Sequence, residues 1–594
     1  MSVTPRGMSV QEAYREYVAG NFMVNRQYQR KLVWTVAEKA RLIDSILRGY
    51  PIPLILLATQ NQEDGSKVFE IVDGMQRLNA VFSFIENQFS SDGRYFDVEQ
   101  LARAKQVSEE GRFVATTDAD RLLDAQACAR LLEYTFAVTE FPVVDPESVN
   151  DVFGRINAYG RQLSDQEKRQ AGVISPFANF IREIAAELRG DASATYLDLA
   201  SMPQISIDVQ GDDDNSYGVR ADATFWCKQG VIRKNQLREA EDEQMLADLA
   251  VSILEQRPFA FSGSALDQYY DPQSEASRDI NARMFAYGVD ALKNAIVTTF
   301  SVVRETVERY DSSPNTLRRV IHPDAGGNPI KTGFYAIFMA FYELCLREGK
   351  TPFDGTGIMR ALSNLQGRLN VAAGQIRSGP RQQNIAITKG LIQEFFEERN
   401  PGVAQQGMGL AVRFENALRR SKVETAAYEC KQGFCSLSPG RELNTDLLDR
   451  LVETACGIAN IGPQSSGAIF VGVADNGAAA DRIKALDNVD ALMVGTRFVV
   501  GIERELTPLN QTLDAYKQRV VSHFQNSGLS EPLRSSVLGL IDCIDYRGKS
   551  VLCVWVPAQR AVSVVDDKVF AREGSNTLRP DGFRAMQAVA ARFD

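Results

Sequence analysis

The stretch from Lys67 to Ile85, KVFEIVDGMQRLNAVFSFI, constrains this chain more than any other. Val68 to Val72 is a short apolar, β-branched run of strand character, and Leu78, Val81, Phe82 and Ile85 then recur at helical spacing. The turn between them is Asp73-Gly74-Met75-Gln76-Arg77. A strand that breaks at Asp-Gly and passes straight into a helix aims backbone N–H groups and the positive end of the helix dipole at whatever sits above the turn. An anion suits that position, and phosphate is the natural one.

Each residue of the turn has a chemical reading. Gly74 lets a ligand approach the backbone, Arg77 offers a planar fork to phosphate oxygens, and Asp73 can hold a magnesium ion or orient a water. The plain reading is a tight turn closed by a structural Asp–Arg pair. The flanking sequence bears on the choice.

Upstream, Gln27-Tyr28-Gln29-Arg30 and Trp34 precede ARLIDSILRGYPIPLIL, and downstream Val152 to Gly172 reads VFGRINAYGRQLSDQEKRQAG. Together the three blocks resemble the GmrSD-type restriction family, whose ParB/sulfiredoxin-like domain carries YQR-x-x-W, PIP, DGQQR and FxRIN-x-x-G-x-x-L-S motifs. The resemblance implies a nucleotide-binding, often nucleotide-hydrolysing module in bacterial defence against foreign or modified DNA. It implies that Tyr28, Gln29, Arg30, Gly74, Gln76, Arg155 and Asn157 surround the nucleotide, with Asp73 and Arg77 in catalytic positions. Met75 stands where the family has its first Gln, and a thioether neither donates nor accepts as an amide does.

At 594 residues the chain has room for several domains, and 44% apolar with 24% charged residues is ordinary soluble protein. A formal charge of −10 excludes a general nucleic-acid coat, so any polyanion must meet local basic patches. No apolar run approaches a membrane span and no secretory signal opens the chain, so a cytoplasmic protein without a membrane partner is expected. The cysteines form no CxxC pair, and free or buried thiols are expected. His322 and His523 are the only histidines, too few for the His-Asn-His nuclease domain that relatives of the family often carry. A Walker loop is absent too: in Gly326-Gly327-Asn328-Pro329-Ile330-Lys331-Thr332, Ile330 occupies the place of the glycine before the lysine.

In chain order, Thr35-Val36-Ala37-Glu38 is a capping box opening a helix that ends at Arg48-Gly49. Leu54 to Leu57 reads as a strand beside the Lys67 strand. Arg155 and Asn157 in FGRIN would face the same side of an extended chain, as a shared polar ligand needs. Ser164 and Glu167 read as N-cap and N3 of a helix start. Residues 175 to 398 read as mainly helical, with apolar periodicity over Phe177–Leu188, Met245–Leu254, Met284–Thr306, Phe334–Leu346 and Ile385–Phe396. That region reads as scaffold and an assembly surface, for a homo-oligomer or a partner of the defence system. The loop Gly211 to Asn215 is acidic and reads as solvated.

Asn400-Pro401-Gly402 through Gly409 is a linker, and a new domain begins after it. Glu429 and Lys431 face the same way on a strand; a helix spans Asn444 to Asn460; and SGAIFVGVADNG is a buried strand ending at Asp475-Asn476-Gly477, itself a good hairpin turn. This order resembles the Schlafen AlbA-like domain, with its E-x4-E-F-K, AFAN-type helix end, GG-x-IxIGVxDxG and late VRxGSxT. The counterparts are Glu424, Glu429-Cys430-Lys431, Gly457 to Asn460, Gly467 to Gly477 and Ala571 to Thr577. The resemblance implies that Glu424, Glu429 and Asp475 are placed to bind Mg2+ or Mn2+ and cleave DNA or RNA, with Lys431 steadying a phosphate. Other relatives only bind nucleic acid. Arg419, Arg420, Lys422 and Arg572 are the further cations expected near a backbone.

The expected fold is α+β: a ParB/sulfiredoxin-like nucleotide module over 1–174, a helical domain over 175–399, a linker over 400–411 and a Schlafen AlbA-like α/β domain over 412–594. Two functions stay open, a nucleotide-gated nuclease that binds and hydrolyses a nucleoside triphosphate, and a sensor or adaptor that binds nucleotide and nucleic acid and recruits a separate nuclease.

Overall fold

The computed structural model describes residues 3–26, 32–61, 67–143, 149, 152, 164–170, 175–191, 196–202, 204–206, 218–370, 377–398, 410–421, 426–463, 465–580 and 582–593. The fold is mixed α/β and mostly helical, with several small sheets. Residues 1–189 and 193–398 form one compact unit, and residues 190–192 with 399–594 form a second. The sheet module and the helical region thus share one unit. No helix among the described residues is long and apolar enough to cross a membrane.

The first unit carries a six-stranded sheet. Its strands are β1 (Thr4–Ser9), β2 (Phe22–Asn25), β3 (Ile55–Asn61), β4 (Lys67–Asp73), β5 (Thr135–Pro142) and β6 (Tyr196–Asp198), in spatial order β1-β5-β3-β4-β2-β6. β4 runs antiparallel to β3 and parallel to β2. Phe69 to Val72 are all buried, as in a strand covered on both faces. A register shift between Leu56 and Leu57 sets Asp73 opposite Leu56.

Among the helices that accompany this sheet are α1 (Val10–Val18), α2 (Val36–Leu47) and α3 (Met75–Ile85), with α3 packed on both α1 and α2. α2 opens on the expected capping box, with Glu38 N donating to Thr35 Oγ1 at 3.2 Å and Thr35 N to Glu38 Oε2 at 2.9 Å. α3 is apolar nearly all round and enclosed, with Phe82 stacked on Tyr17 of α1 at 4.4 Å between ring centroids.

The helical region contains Pro176–Arg189, Glu241–Leu254, Lys331–Tyr342 and Ser378–Ile392 where periodicity predicts helices. The predicted Met284–Thr306 segment is two helices, Glu275–Tyr287 and Val289–Tyr310. Gly288 between them takes φ +90°, which an uninterrupted helix cannot contain. Ser164 and Glu167 exchange the reciprocal bonds of a capping box, at 3.2 and 2.8 Å, ahead of the Asp165–Gln170 helix. The acidic 211–215 loop lies outside the described residues.

In the second unit a four-stranded sheet runs Tyr428–Lys431, Gly467–Val471, Lys549–Val556, Ile541–Tyr546, the first pair parallel and the others antiparallel. The Asp446–Ala459 helix makes the crossover between the parallel strands. Alternation divides the middle strand: Ile469 and Val471 join a core with Leu451, Val452 and Phe524, while Ala468 and Phe470 join one with Phe414 and Trp555. All eight cysteines are free thiols, most of them buried.

Candidate functional site

Gly74 makes the turn at the end of β4 possible. It takes φ +104°, and a β-carbon there would meet the Ile55 side chain at 3.0 Å. The chain therefore turns tightly over the sheet and α3 begins at once, leaving its first-turn N–H groups without partners from within the helix. Asp73 Oδ1 accepts from Gly74 N at 2.8 Å, and Asp73 Oδ2 accepts from Arg77 Nη2 at 2.6 Å. The Asp73 side chain stays 40% exposed, while that of Arg77 is 12% exposed. Among the described residues the Arg77 guanidinium makes only this bond, and its Nε is buried with no partner. Its capacity for five N–H donors is thus largely unused among the described residues.

Gln76 is buried, and its Oε1 accepts from Val33 N at 3.0 Å and Trp34 N at 3.2 Å. The turn is thereby bonded to the chain just after Tyr28, Gln29 and Arg30, which lie outside the described residues. On the other side, Val149 and Val152 pack with Leu56, Val72 and Phe141 on the sheet face beside Asp73. Arg155 and Asn157 follow them and also lie outside the described residues. The described flanks of both blocks therefore converge on the turn. Met75 is only 2% exposed, so its side chain is part of the core. One turn into α3, Asn79 is buried with its Oδ1 unpaired, a position that sequence pattern did not single out.

The second unit brings Glu429, Lys431 and Asp475 into electrostatic reach of one another. Gly472, at φ +106°, ends the Gly467–Val471 strand, and Val473–Ala474 pairs instead with Arg497–Val499. That pairing sets Asp475 against Arg497, and the two side chains form an ion pair. Asp475-Asn476-Gly477 is then a helix entry, not a hairpin turn: Asn476 Oδ1 accepts from Ala479 N at 2.9 Å and caps the Gly477–Asp487 helix. Burial pushes the Asp475 carboxyl up, Arg497 opposes that, and Glu429 adds to it. Arg497 also donates to Ser421 Oγ at 3.1 Å. No local sequence signal marks it as Asp475's partner, because only the strand pairing brings them together.

Glu429 carries two cations, Lys431 Nζ at 2.6 Å and Arg572 Nη1 at 2.9 Å. Arg572 has a fully enclosed side chain, which donates further to Ala426 O, Tyr428 O and Thr577 Oγ1. It sits as an internal strut, without surface for a backbone phosphate. Arg419 bonds Glu415 at 2.9 Å and Arg420 donates to Asp191 O at 2.8 Å, both from the Leu410–Arg420 helix. Lys422 and Glu424 lie outside the described residues. Among the described residues no three His, Cys, Asp or Glu side chains are grouped to hold a metal ion. Glu429 and Asp475 are charge-balanced by cations and do not by themselves fit a metal centre.

Beyond these residues, Glu505 fixes the loop that follows Lys431. It is fully buried and accepts from Phe434 N, Cys435 N and the Tyr516 hydroxyl, at 2.7, 2.9 and 2.7 Å. Asn460 pins the end of the crossover helix through Ser563 and Phe570.

Residues 10–174 match the family model described as GmrSD restriction endonuclease, N-terminal domain. The match spans the Asp73–Arg77 turn and both flanking blocks. A search of curated proteins returned no match to the chain.

Proposed function

We propose that this is a restriction-type defence protein whose Asp73–Arg77 turn binds the phosphates of a nucleoside triphosphate, and whose second unit engages nucleic acid. The observation that carries the nucleotide reading is Arg77: a nearly buried guanidinium at a helix N-terminus, with one bond to Asp73 and a buried Nε left unpaired. The contacts of Val33 and Trp34 with Gln76, the packing of Val149 and Val152 beside Val72, and the GmrSD N-terminal match support the same reading. Both Asp73 oxygens are already engaged, by Gly74 N and by Arg77, so Mg2+ or Mn2+ brought with the nucleotide would be held by Asp73 only on displacing Arg77 toward the phosphates.

The test is nucleotide binding and phosphate release by the full chain, wild type against Arg77→Ala and Arg77→Lys, with and without nucleic acid. Arg77→Ala should lose about tenfold or more in affinity, and Lys should restore it only in part. Affinity unchanged in Arg77→Ala would remove the turn as the site.

Met75, a core thioether where the family has an amide, bears on nucleotide hydrolysis at the turn and favours binding over it. One observation favours the sensor or adaptor over the nuclease: the Glu429 and Asp475 carboxylates are occupied by cations. Under this reading the second unit, with its Schlafen AlbA-like pattern, binds nucleic acid through Lys431, Arg419 and Arg420. Mg2+- or Mn2+-dependent cleavage that disappears in Glu429→Ala would overturn it in favour of the nuclease.

A further inference from the structure

Within the first unit, two segments far apart in sequence meet and are both strongly basic. Residues 228–238 and 315–331 contain seven lysines and arginines and one carboxylate, Asp324, in a chain whose formal charge is −10. Gln229, fully buried, joins them: its Oε1 accepts from Leu317 N at 3.0 Å and its Nε2 donates to Ser313 O at 3.3 Å. Asn315 N donates to Lys228 O at 2.6 Å and Ile330 N to Gly230 O at 3.2 Å. Gly230, at φ +72°, leaves room for Arg318, whose Cδ is 2.9 Å from where a β-carbon would stand.

Carboxylates from elsewhere balance four of the seven cations. Lys228 faces Glu308, Arg238 faces Glu38, Arg319 faces Asp311 and Lys331 faces Glu241. Arg233, Lys234 and Arg318 have no carboxylate within ion-pair distance among the described residues. Arg233, exposed, instead reaches the rim of the Gly326–Asn328 loop, donating to Gly327 O at 3.2 Å and Asn328 Oδ1 at 2.9 Å. Arg233, Lys234 and Arg318 outnumber Asp324, the one carboxylate of the two segments, so the joined segments carry a net positive charge on an acidic chain.

We propose that this surface, centred on Arg233, Lys234 and Arg318, docks the phosphodiester backbone of a nucleic-acid duplex. It belongs to the first unit and does not rest on the reading of the second. Arg238, at its edge, holds Glu38 at 2.9 Å; Glu38 bonds Thr35 N; and the neighbouring Trp34 N bonds Gln76. A docked backbone would thus lie within a few bonded contacts of the Asp73–Arg77 turn.

The experiment is a salt titration of full-length protein on a short DNA duplex and on an RNA duplex of the same sequence. It compares wild type with Arg233→Glu/Arg318→Glu and with Lys234→Glu. The double variant should bind about tenfold or more weakly whatever the sequence, and the slope of log affinity against log salt should fall by about two. Lys234→Glu should lower the slope by about one, and decides alone if the double variant fails to fold. A loss on either duplex supports the surface, and the duplex that shows it identifies the backbone. Wild-type affinity and slope in the variants, or no duplex binding by the wild type, would overturn the proposal.

Discussion

Glu429 Oε2 lies 2.9 Å from Arg572 Nη1, and the arginine that makes this contact is wholly enclosed. One guanidinium therefore joins the first strand of the second sheet to the Ala571–Glu573 strand and to the carbonyls of Ala426 and Tyr428. A buried charge with this many partners cannot be removed cheaply, because the Ala426 and Tyr428 carbonyls lose its donors and Glu429 keeps only Lys431. Arg572→Ala should cost about 3–5 kcal/mol of stability, read as a lower denaturant midpoint. Lysine should not rescue it, since a single ammonium cannot reproduce the guanidinium's bonds to Glu429, Ala426 O, Tyr428 O and Thr577 Oγ1 together. Unchanged stability with weakened nucleic-acid binding would make Arg572 a contact residue instead.

Gln76 should matter for a different reason. Its Oε1 is the acceptor for two backbone N–H groups, Val33 and Trp34, that lead back to the Tyr28–Arg30 block. Gln76→Ala leaves both donors unpaired, at a cost of roughly 1–3 kcal/mol, and should weaken nucleotide binding by loosening that block. Gln76→Glu keeps the acceptor and should retain most of the stability. A melting curve and a nucleotide titration on both variants separate positioning from packing; equal behaviour of Ala and Glu would argue against the acceptor role.

The elements of the turn were legible because local chemistry decides them. An Asp-Gly break after a β-branched run and before apolar residues at helical spacing leaves the chain few alternatives, and β4, Gly74 and α3 follow it. The capping boxes at Thr35–Glu38 and Ser164–Glu167 are equally local. What sequence could not supply was the pairing of distant segments. Asp475 meets Arg497 only because Gly472 diverts the strand into another sheet, and Asp475-Asn476-Gly477 satisfies both turn and N-cap chemistry, so only tertiary context selects the cap. Arg572 likewise carries the composition of a surface cation and the environment of a core residue, a difference set by segments more than a hundred positions away.

Gly74→Ala tests how far the turn depends on its backbone. At φ +104° an L residue is strained on the order of 1–2 kcal/mol, and the new methyl would press on Ile55, which β3 pairs with Val138 of β5. The variant should melt lower and lose nucleotide affinity together, because relief of the strain must move the first N–H groups of α3. Retained affinity in a destabilised protein would separate the turn's geometry from its ligand.

Glu86 closes the opposite end of α3 and gives the first unit a pH dependence of defined sign. Burial pushes its carboxyl up to about 7, although hydrogen bonds from Tyr14 and Tyr17 pull it down. A folded-state value above the ordinary 4.5 means that the native protein binds this proton more tightly than the unfolded chain does. The resulting stabilisation is complete below about 4.5 and is lost as pH rises through about 7, where folding must carry a charged, poorly hydrated carboxylate. Melting temperatures from mildly acid to mildly basic buffer should therefore fall more steeply for wild type than for Glu86→Gln, and the variant should be the more stable by a few degrees at the basic end. Parallel curves would mean that Glu86 stays ionised throughout and that its environment is wetter than its packing against Tyr14 implies.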